Sequence, residues 1–254
     1  MTRLLATTAL ACLLAGPAMP QTDAATADAA MTDAERTAFR AEVRAYLMDN
    51  PEVLMEAIAV LEDRRNADAA ASDVALLETN ADEIFHDPAS WSGGNPEGDV
   101  TIVEFIDYRC SYCRKAHDEV AELIASDGNI RFVVKEFPIL GEASDLSSHF
   151  AIAVLQTEGA EAYKKIHDAL ITHKGDLSPA DLNQLAKSLG LADPTAVLEQ
   201  MKSADVQAVI DANHALGGRL QINGTPTFVI NGTLVRGYVP LDGMRQIVDG
   251  QRKG

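Results

Sequence analysis

Val100-Thr-Ile-Val-Glu-Phe-Ile106 runs through Asp107-Tyr108-Arg109 into Cys110-Ser111-Tyr112-Cys113. The first seven residues are mostly β-branched or aromatic and read as a buried strand. After Cys113 the period changes: Val120, Leu123 and Ile124 share one helical face, and Asp127-Gly128-Asn129 closes the helix. Ile130 to Phe137 is a second strand. Strand, helix and strand with a short return imply a parallel pair joined by a right-handed crossover. The Cys-x-x-C pair then falls on the first helical turn, where unpaired N–H groups and the positive dipole end favour a thiolate on Cys110. Cys113, one turn further in, can attack a mixed disulfide formed on Cys110. Cys110 therefore reads as the nucleophile and Cys113 as the resolving thiol.

Outward from this stretch, the 254 residues carry 21 basic and 38 acidic side chains, a formal charge of −17 that offers nucleic acid no basic footprint. Three cysteines are too few for a disulfide-stapled fold of this length. The N-terminus joins Arg3 to an apolar run from Leu4 to Leu14 and then Ala15-Gly16-Pro17-Ala18. That pattern reads as a secretory signal peptide over residues 1–18, because Gln21-Thr22-Asp23 ends the apolar run well short of a membrane span. Its cleavage removes Cys12 and leaves Cys110 and Cys113 as the thiols of an exported chain.

Residues 19–30 lack periodicity and read as a disordered tether. Residues 31–80 read as a helical arm and stalk. Thr32 or Asp33 caps a first helix with Glu35 in its first turn, and Phe39, Val43, Tyr46 and Leu47 form its stripe. Asn50-Pro51 breaks that helix and opens another, with Leu54, Met55, Ile58 and Leu61 on one face. Such a face cannot form a core alone and is buried against the following domain or against another copy. The polar stretch Arg64 to Ala71 looks like a stalk, which favours self-association.

Residues 81–254 hold the remaining domain, with Gly93-Gly94-Asn95-Pro96-Glu97-Gly98 as the clearest turn cluster. Residues 142–219 show helical stripes and no strand. Thr227–Asn231 and Thr233–Arg236 read as two short strands joined by an Asn231-Gly232 hairpin turn, with a terminal helix from Leu241.

A Cys-x-x-C pair opening a helix after a strand is a thioredoxin-type redox arrangement. Structural zinc would need a second cysteine pair beside Cys110 and Cys113, and the exported chain has none, so no metal site is expected. A copper(I) carrier is a separate, non-enzymatic reading, because soft thiolates suit that ion.

The runs Gly94 to Phe105 and Asp107 to Cys113 resemble the bacterial periplasmic thiol-disulfide oxidoreductases, the Dsb family of the thioredoxin superfamily. Glu136-Phe137-Pro138-Ile139-Leu140 and Gly224-Thr225-Pro226-Thr227-Phe228 resemble later signatures of that family, so the likeness spans about residues 83–250. Tyr46-Leu47 and Asn50-Pro51-Glu52-Val53-Leu54 are similar to the N-terminal extension of the suppressor-of-copper-sensitivity C proteins, where it drives oligomerisation, notably to trimers.

The resemblance implies an α/β thioredoxin fold with a helical insertion at about 142–219, behind a helical arm. It implies a cis bond at Thr225-Pro226 facing the redox pair, with the backbone at 225 and the Tyr112 side chain receiving an extended substrate. It places a buried acid at Glu104 that relays a proton to Cys113, with Lys135 on the adjacent strand as its partner; a structural ion pair is the other reading of those two. It implies no cofactor. The partners it implies are misfolded or unfolded exported proteins with cysteines, a membrane redox partner and other copies of the chain, all in the periplasm. Two departures set the direction of the chemistry. Ser111-Tyr112 stands where strong oxidases carry Pro-His, and a threonine precedes the cis-proline position as in the isomerases. Both favour an isomerase or reductase, with a dithiol oxidase as the alternative.

Overall fold

A computed structural model describes residues 31–175 and 177–253, so the signal peptide and tether read at 1–18 and 19–30 lie outside the described residues. The described residues form two compact units, divided between Val60 and Leu61.

In the first unit, α1 (Asp33–Asp49) opens with a capping box: Thr32 Oγ1 accepts from the Glu35 N–H, and the Glu35 carboxylate accepts from the Thr32 N–H at 2.8 Å. The chain breaks at Asn50-Pro51 and α2 (Glu52–Thr79) begins. No residue of α1 is buried, and Phe39, Val43, Tyr46, Leu54, Met55 and Ile58 are all exposed.

The second unit is built on five strands: β1 (Trp91–Gly94), β2 (Val100–Ile106), β3 (Ile130–Glu136), β4 (Thr227–Ile230) and β5 (Thr233–Arg236). They lie in the order β1-β3-β2-β4-β5, with β2 and β3 parallel and every other pair antiparallel. The helices are α3 (Ala81–Phe85), α4 (Ser111–Asp127) as the β2–β3 crossover, α5 (Glu142–Glu158), α6 (Ala160–Thr172), α7 (Pro179–Ser188), α8 (Pro194–Gln200), α9 (Ala204–Arg219) and α10 (Leu241–Gln251). α5 to α9 form the helical insertion between β3 and β4.

Strand alternation divides the core between the two sheet faces. Ile102, Ile106, Phe132, Val134, Phe228 and Ile230 pack with α4, α5, α6 and α10. Val103, Phe105, Val133, Phe137 and Val229 pack with Leu77, Ile84, Leu216 and Leu220. The insertion stripes are buried as their spacing requires, through Ala151 and Val154, Ile166 and Leu170, Leu182, and Val206 and Ile210.

One element departs from the sequence reading. Trp91-Ser-Gly-Gly94, whose last two residues read as the start of the turn cluster, is the edge strand β1. Trp91 anchors it by stacking on Tyr163 at 5.6 Å and donating from Nε1 to the Ala160 carbonyl at 3.0 Å. Gly94 sits at φ +71°, where a Cβ would collide with the Ile130 carbonyl. Within the insertion, Pro194 opens α8, with Asp193 capping the Thr195 and Ala196 N–H groups.

Candidate active site

β2 ends at Ile106, and the next seven residues place both cysteines. Asp107 is fully buried and its carboxylate gathers four donors. Oδ1 accepts from the Arg109 N–H at 2.7 Å and Ser144 Oγ at 2.8 Å, while Oδ2 accepts from the Ile139 and Leu140 N–H groups at 2.8 and 3.0 Å. This ties the loop before α4 to the loop after β3 and fixes where Cys110 caps α4.

The two thiols are free and unequal. Cys110 keeps a small exposed surface, whereas Cys113 is fully buried. The Cys113 thiol, the Thr225 side chain and the N–H groups of Tyr112 and Cys113 all stabilise the Cys110 thiolate. They outweigh partial burial and bring its pKa down to about 5, without a histidine between the cysteines. Burial, followed by the hydrogen bond to Cys110 and the nearby Glu104 carboxylate, holds Cys113 far above the ordinary thiol range. Cys110 Sγ lies 3.0 Å from the Thr225 carbonyl, and the Thr225-Pro226 bond is cis. Tyr112 is 59% exposed and stacks on Tyr238 at 6.2 Å. Ile139 and Leu140, held by Asp107, are also exposed. The reactive sulfur therefore opens beside apolar side chains and a backbone carbonyl.

Glu104 lies on the same sheet face as Ile102 and Ile106, towards α4. It is buried, and its Oε1 has no hydrogen-bond partner. Burial first, then the charges of Cys110 and Glu136, raise its pKa to about 8.

Lys135 is not its partner. In the parallel β2–β3 register Glu104 aligns with Val134 and Lys135 with Phe105, so the lysine projects from the opposite face. There Lys135 Nζ donates to Asp87 Oδ2 at 2.6 Å. Neither the proton-relay partnership nor the Glu104–Lys135 ion pair is present.

The acid that shares the face of Glu104 is Glu136. Its carboxylate accepts from Tyr108 at 2.8 Å, Tyr163 at 2.6 Å and Ser148 at 2.7 Å. Sequence reasoning missed Asp107 and Glu136 as organising groups. Both lie inside the quoted motifs, but most of their donors are distant in sequence: Ile139, Leu140 and Ser144 for Asp107, and Tyr108 and Tyr163 for Glu136. Among the described residues, three metal-type ligand atoms come within 4.8 Å of one another at His117, His167 and Asp168, a group that includes neither cysteine.

The family model described as Thioredoxin matches residues 86–250, and that of the copper resistance protein ScsC N-terminal domain matches residues 35–67. The solved structure of a thioredoxin-like oxidoreductase from Silicibacter pomeroyi is 41% identical with a TM-score of 0.63, covering 68% of this chain and 98% of that one. A Proteus mirabilis ScsC linker-deletion variant is 28% identical with a TM-score of 0.64, covering 89% of this chain and 99% of that one. Among curated relatives, the Na(+)/H(+) antiporter NhaA 1 of Salinispora arenicola is 32% identical over 160 residues, 61% of this chain and 24% of the antiporter. The thiol:disulfide interchange protein DsbC of Escherichia coli is 28% identical over 159 residues, 62% of this chain and 54% of that protein. The chain thus spans about a quarter of the antiporter and about half of DsbC. With a match across most of its length and an arm that matches the ScsC N-terminal domain, the chain belongs to the thioredoxin family, as a Dsb protein of the ScsC type.

Proposed function

We propose that this protein is a thiol-disulfide oxidoreductase of exported proteins, acting as a disulfide isomerase and reductase in the periplasm. The observation that carries the reading is the pairing of a thiolate-favouring, partly exposed Cys110 with a fully buried Cys113. In this cycle the Cys110 thiolate attacks one sulfur of a wrong substrate disulfide, the substrate S–S bond breaks, and the other substrate sulfur leaves as a thiolate. That thiolate then attacks elsewhere in the client. When a client thiolate attacks the mixed disulfide at the client's own sulfur, Cys110 leaves as a thiolate and the pair remains reduced. If the client stalls, Cys113 loses its proton and attacks Cys110 Sγ. The client departs reduced, and a Cys110–Cys113 disulfide forms that a membrane reductase must reduce. Glu104 is the group placed to take the Cys113 proton, and a pKa of about 8 suits exchange in both directions near neutrality.

Cys110 and Cys113 carry the exchange in this reading, and Thr225, Pro226 and Tyr112 receive the client. Tyr112, Ile139 and Leu140 suit the apolar segments that unfolded clients expose. The arm is read as an oligomerisation element that assembles a homo-oligomer, with a trimer as the expected number. Its support is the apolar side chains left exposed on α1 and the start of α2, together with the ScsC-type match. No described helix is long and apolar enough to cross a membrane.

The test compares rescue of scrambled ribonuclease with oxidation of reduced ribonuclease. Unscrambling by the full chain and its loss in Cys110→Ser are expected. Rapid oxidation without unscrambling would make the protein a dithiol oxidase. Light scattering of the chain with and without residues 31–65 tests the arm. The expected result is an oligomer that becomes a redox-active monomer, and a monomeric full chain would overturn the assembly reading.

A further inference from the structure

Between β2, α4 and α6 lies a cavity of about 250 Å³, lined by Glu104, His117, Lys164 and His167 within an apolar wall that includes Trp91 and Phe132. Its polar groups come from β2, α4 and α6, and the exchange cycle uses only Glu104. We propose that His117 and His167, on the wall of this cavity, together with the adjoining Asp168 form a binding site for a divalent transition-metal ion of the zinc class. One ligand atom from each residue lies within 4.8 Å of the others, close enough to share one ion.

The hydrogen-bond network prepares the most buried ligand. The Tyr108 hydroxyl has one proton. That proton goes to Glu136 Oε1 at 2.8 Å, in a carboxylate that Tyr163 and Ser148 also donate to. Tyr108 then accepts from His167 Nδ1–H at 3.1 Å, which leaves Nε2 of this buried imidazole as an unprotonated lone pair. A ring held through its second nitrogen in this way is the usual second shell of a ligating histidine.

His117 approaches from α4, with Nε2 3.3 Å from Asp168 Oδ1. Asp168 is held by Lys164, whose Nζ donates to both carboxylate oxygens at 2.7 and 2.6 Å. The Lys164 side chain is 44% exposed, so it can swing into solvent when an ion takes its place. Two imidazoles and a carboxylate suit zinc with a water in the fourth position. Calcium and magnesium call for all-oxygen ligands, and copper(I) for thiolates. A second, independent observation points into the same space: the unpartnered Oε1 of buried Glu104, on the cavity wall, can accept from a metal-bound water.

The test uses the full chain carrying Cys110→Ser and Cys113→Ser. Thiolate binding is thereby absent, and the outcome does not depend on the oxidoreductase reading. Zn²⁺ is titrated in competition with a chromophoric chelator at neutral pH. The expected result is one Zn²⁺ per chain, weakened about tenfold or more by His117→Ala and by Asp168→Asn. Lys164→Met, which frees the carboxylate, is expected to tighten binding. Co²⁺ in place of Zn²⁺ is expected to give visible bands of nitrogen and oxygen ligation that vanish in His117→Ala, with circular dichroism unchanged. Absence of stoichiometric zinc, or an affinity indifferent to both His117→Ala and Asp168→Asn, would overturn the site.

Discussion

Two glutamates on neighbouring strands of one sheet face, Glu104 on β2 and Glu136 on β3, are equally buried and treated in opposite ways. Glu136 is enclosed by the hydroxyls of Tyr108, Tyr163 and Ser148. Glu104 has a bare Oε1 and the Cys113 thiol for a neighbour. Burial raises both acids, Glu136 to about 7 against its three donors and Glu104 to about 8. A buried carboxyl that collects donors binds helices to the sheet, whereas one left without them keeps its proton exchangeable. The first belongs to stability and the second to chemistry.

That division is most severely tested at Glu136. Glu136→Ala strands three buried hydroxyls, and unfolding in denaturant should show a loss of about 3 kcal/mol or more. A loss no larger than that of Glu104→Ala would erase the contrast. Glu104→Gln keeps the shape and removes the proton. Near pH 4, where Glu104 is largely uncharged in both the folded and unfolded chain, it should leave stability within about 1 kcal/mol of the parent, and near neutrality it should slow attack of Cys113 on a mixed disulfide about a hundredfold, read by stopped-flow release of a thiol leaving group.

The pH dependence sharpens the same point. Folded Glu104 holds a proton that the unfolded chain releases, so its contribution makes stability fall as pH rises from about 4.5 to about 8. Denaturation midpoints measured across that window should show a shallower slope in Glu104→Gln. Lys135→Met should do least. It removes the bond to Asp87, which retains the Ala89 N–H and the Ser90 hydroxyl, at a cost of about 1 kcal/mol and with Cys113 attack unchanged. Slower attack in Lys135→Met would restore the lysine to the proton path.

The sequence made the β2–α4 junction readable because two periods meet there, and Cys110 and Cys113 fall at the point where period two gives way to period 3.6. The insertion stripes were readable for the same reason. Register was not. Lys135 looked adjacent to Glu104 because the strands are neighbours, yet a side chain's face depends on which residues align, and a one-residue difference reverses it. The edge strand β1 was hidden because Ser-Gly-Gly has turn composition, and its pairing comes from β3 and the Trp91 anchor rather than from local propensity. The cluster of His117, His167 and Asp168 was invisible because α4 and α6 are brought together only by the tertiary fold, with β3 and α5 between them in the chain. The arm stripe was plain, and the described chain leaves it exposed as an isolated amphipathic helix must be until it finds a partner.

The account's central claim is a division of labour between two thiols, and alkylation of the fully reduced protein across pH, read by peptide mass spectrometry, tests it most directly. Cys110 should react with a midpoint near pH 5 while Cys113 stays unmodified through the alkaline range in the folded protein. Equal labelling of both thiols, or Cys113 reacting first, would contradict the account.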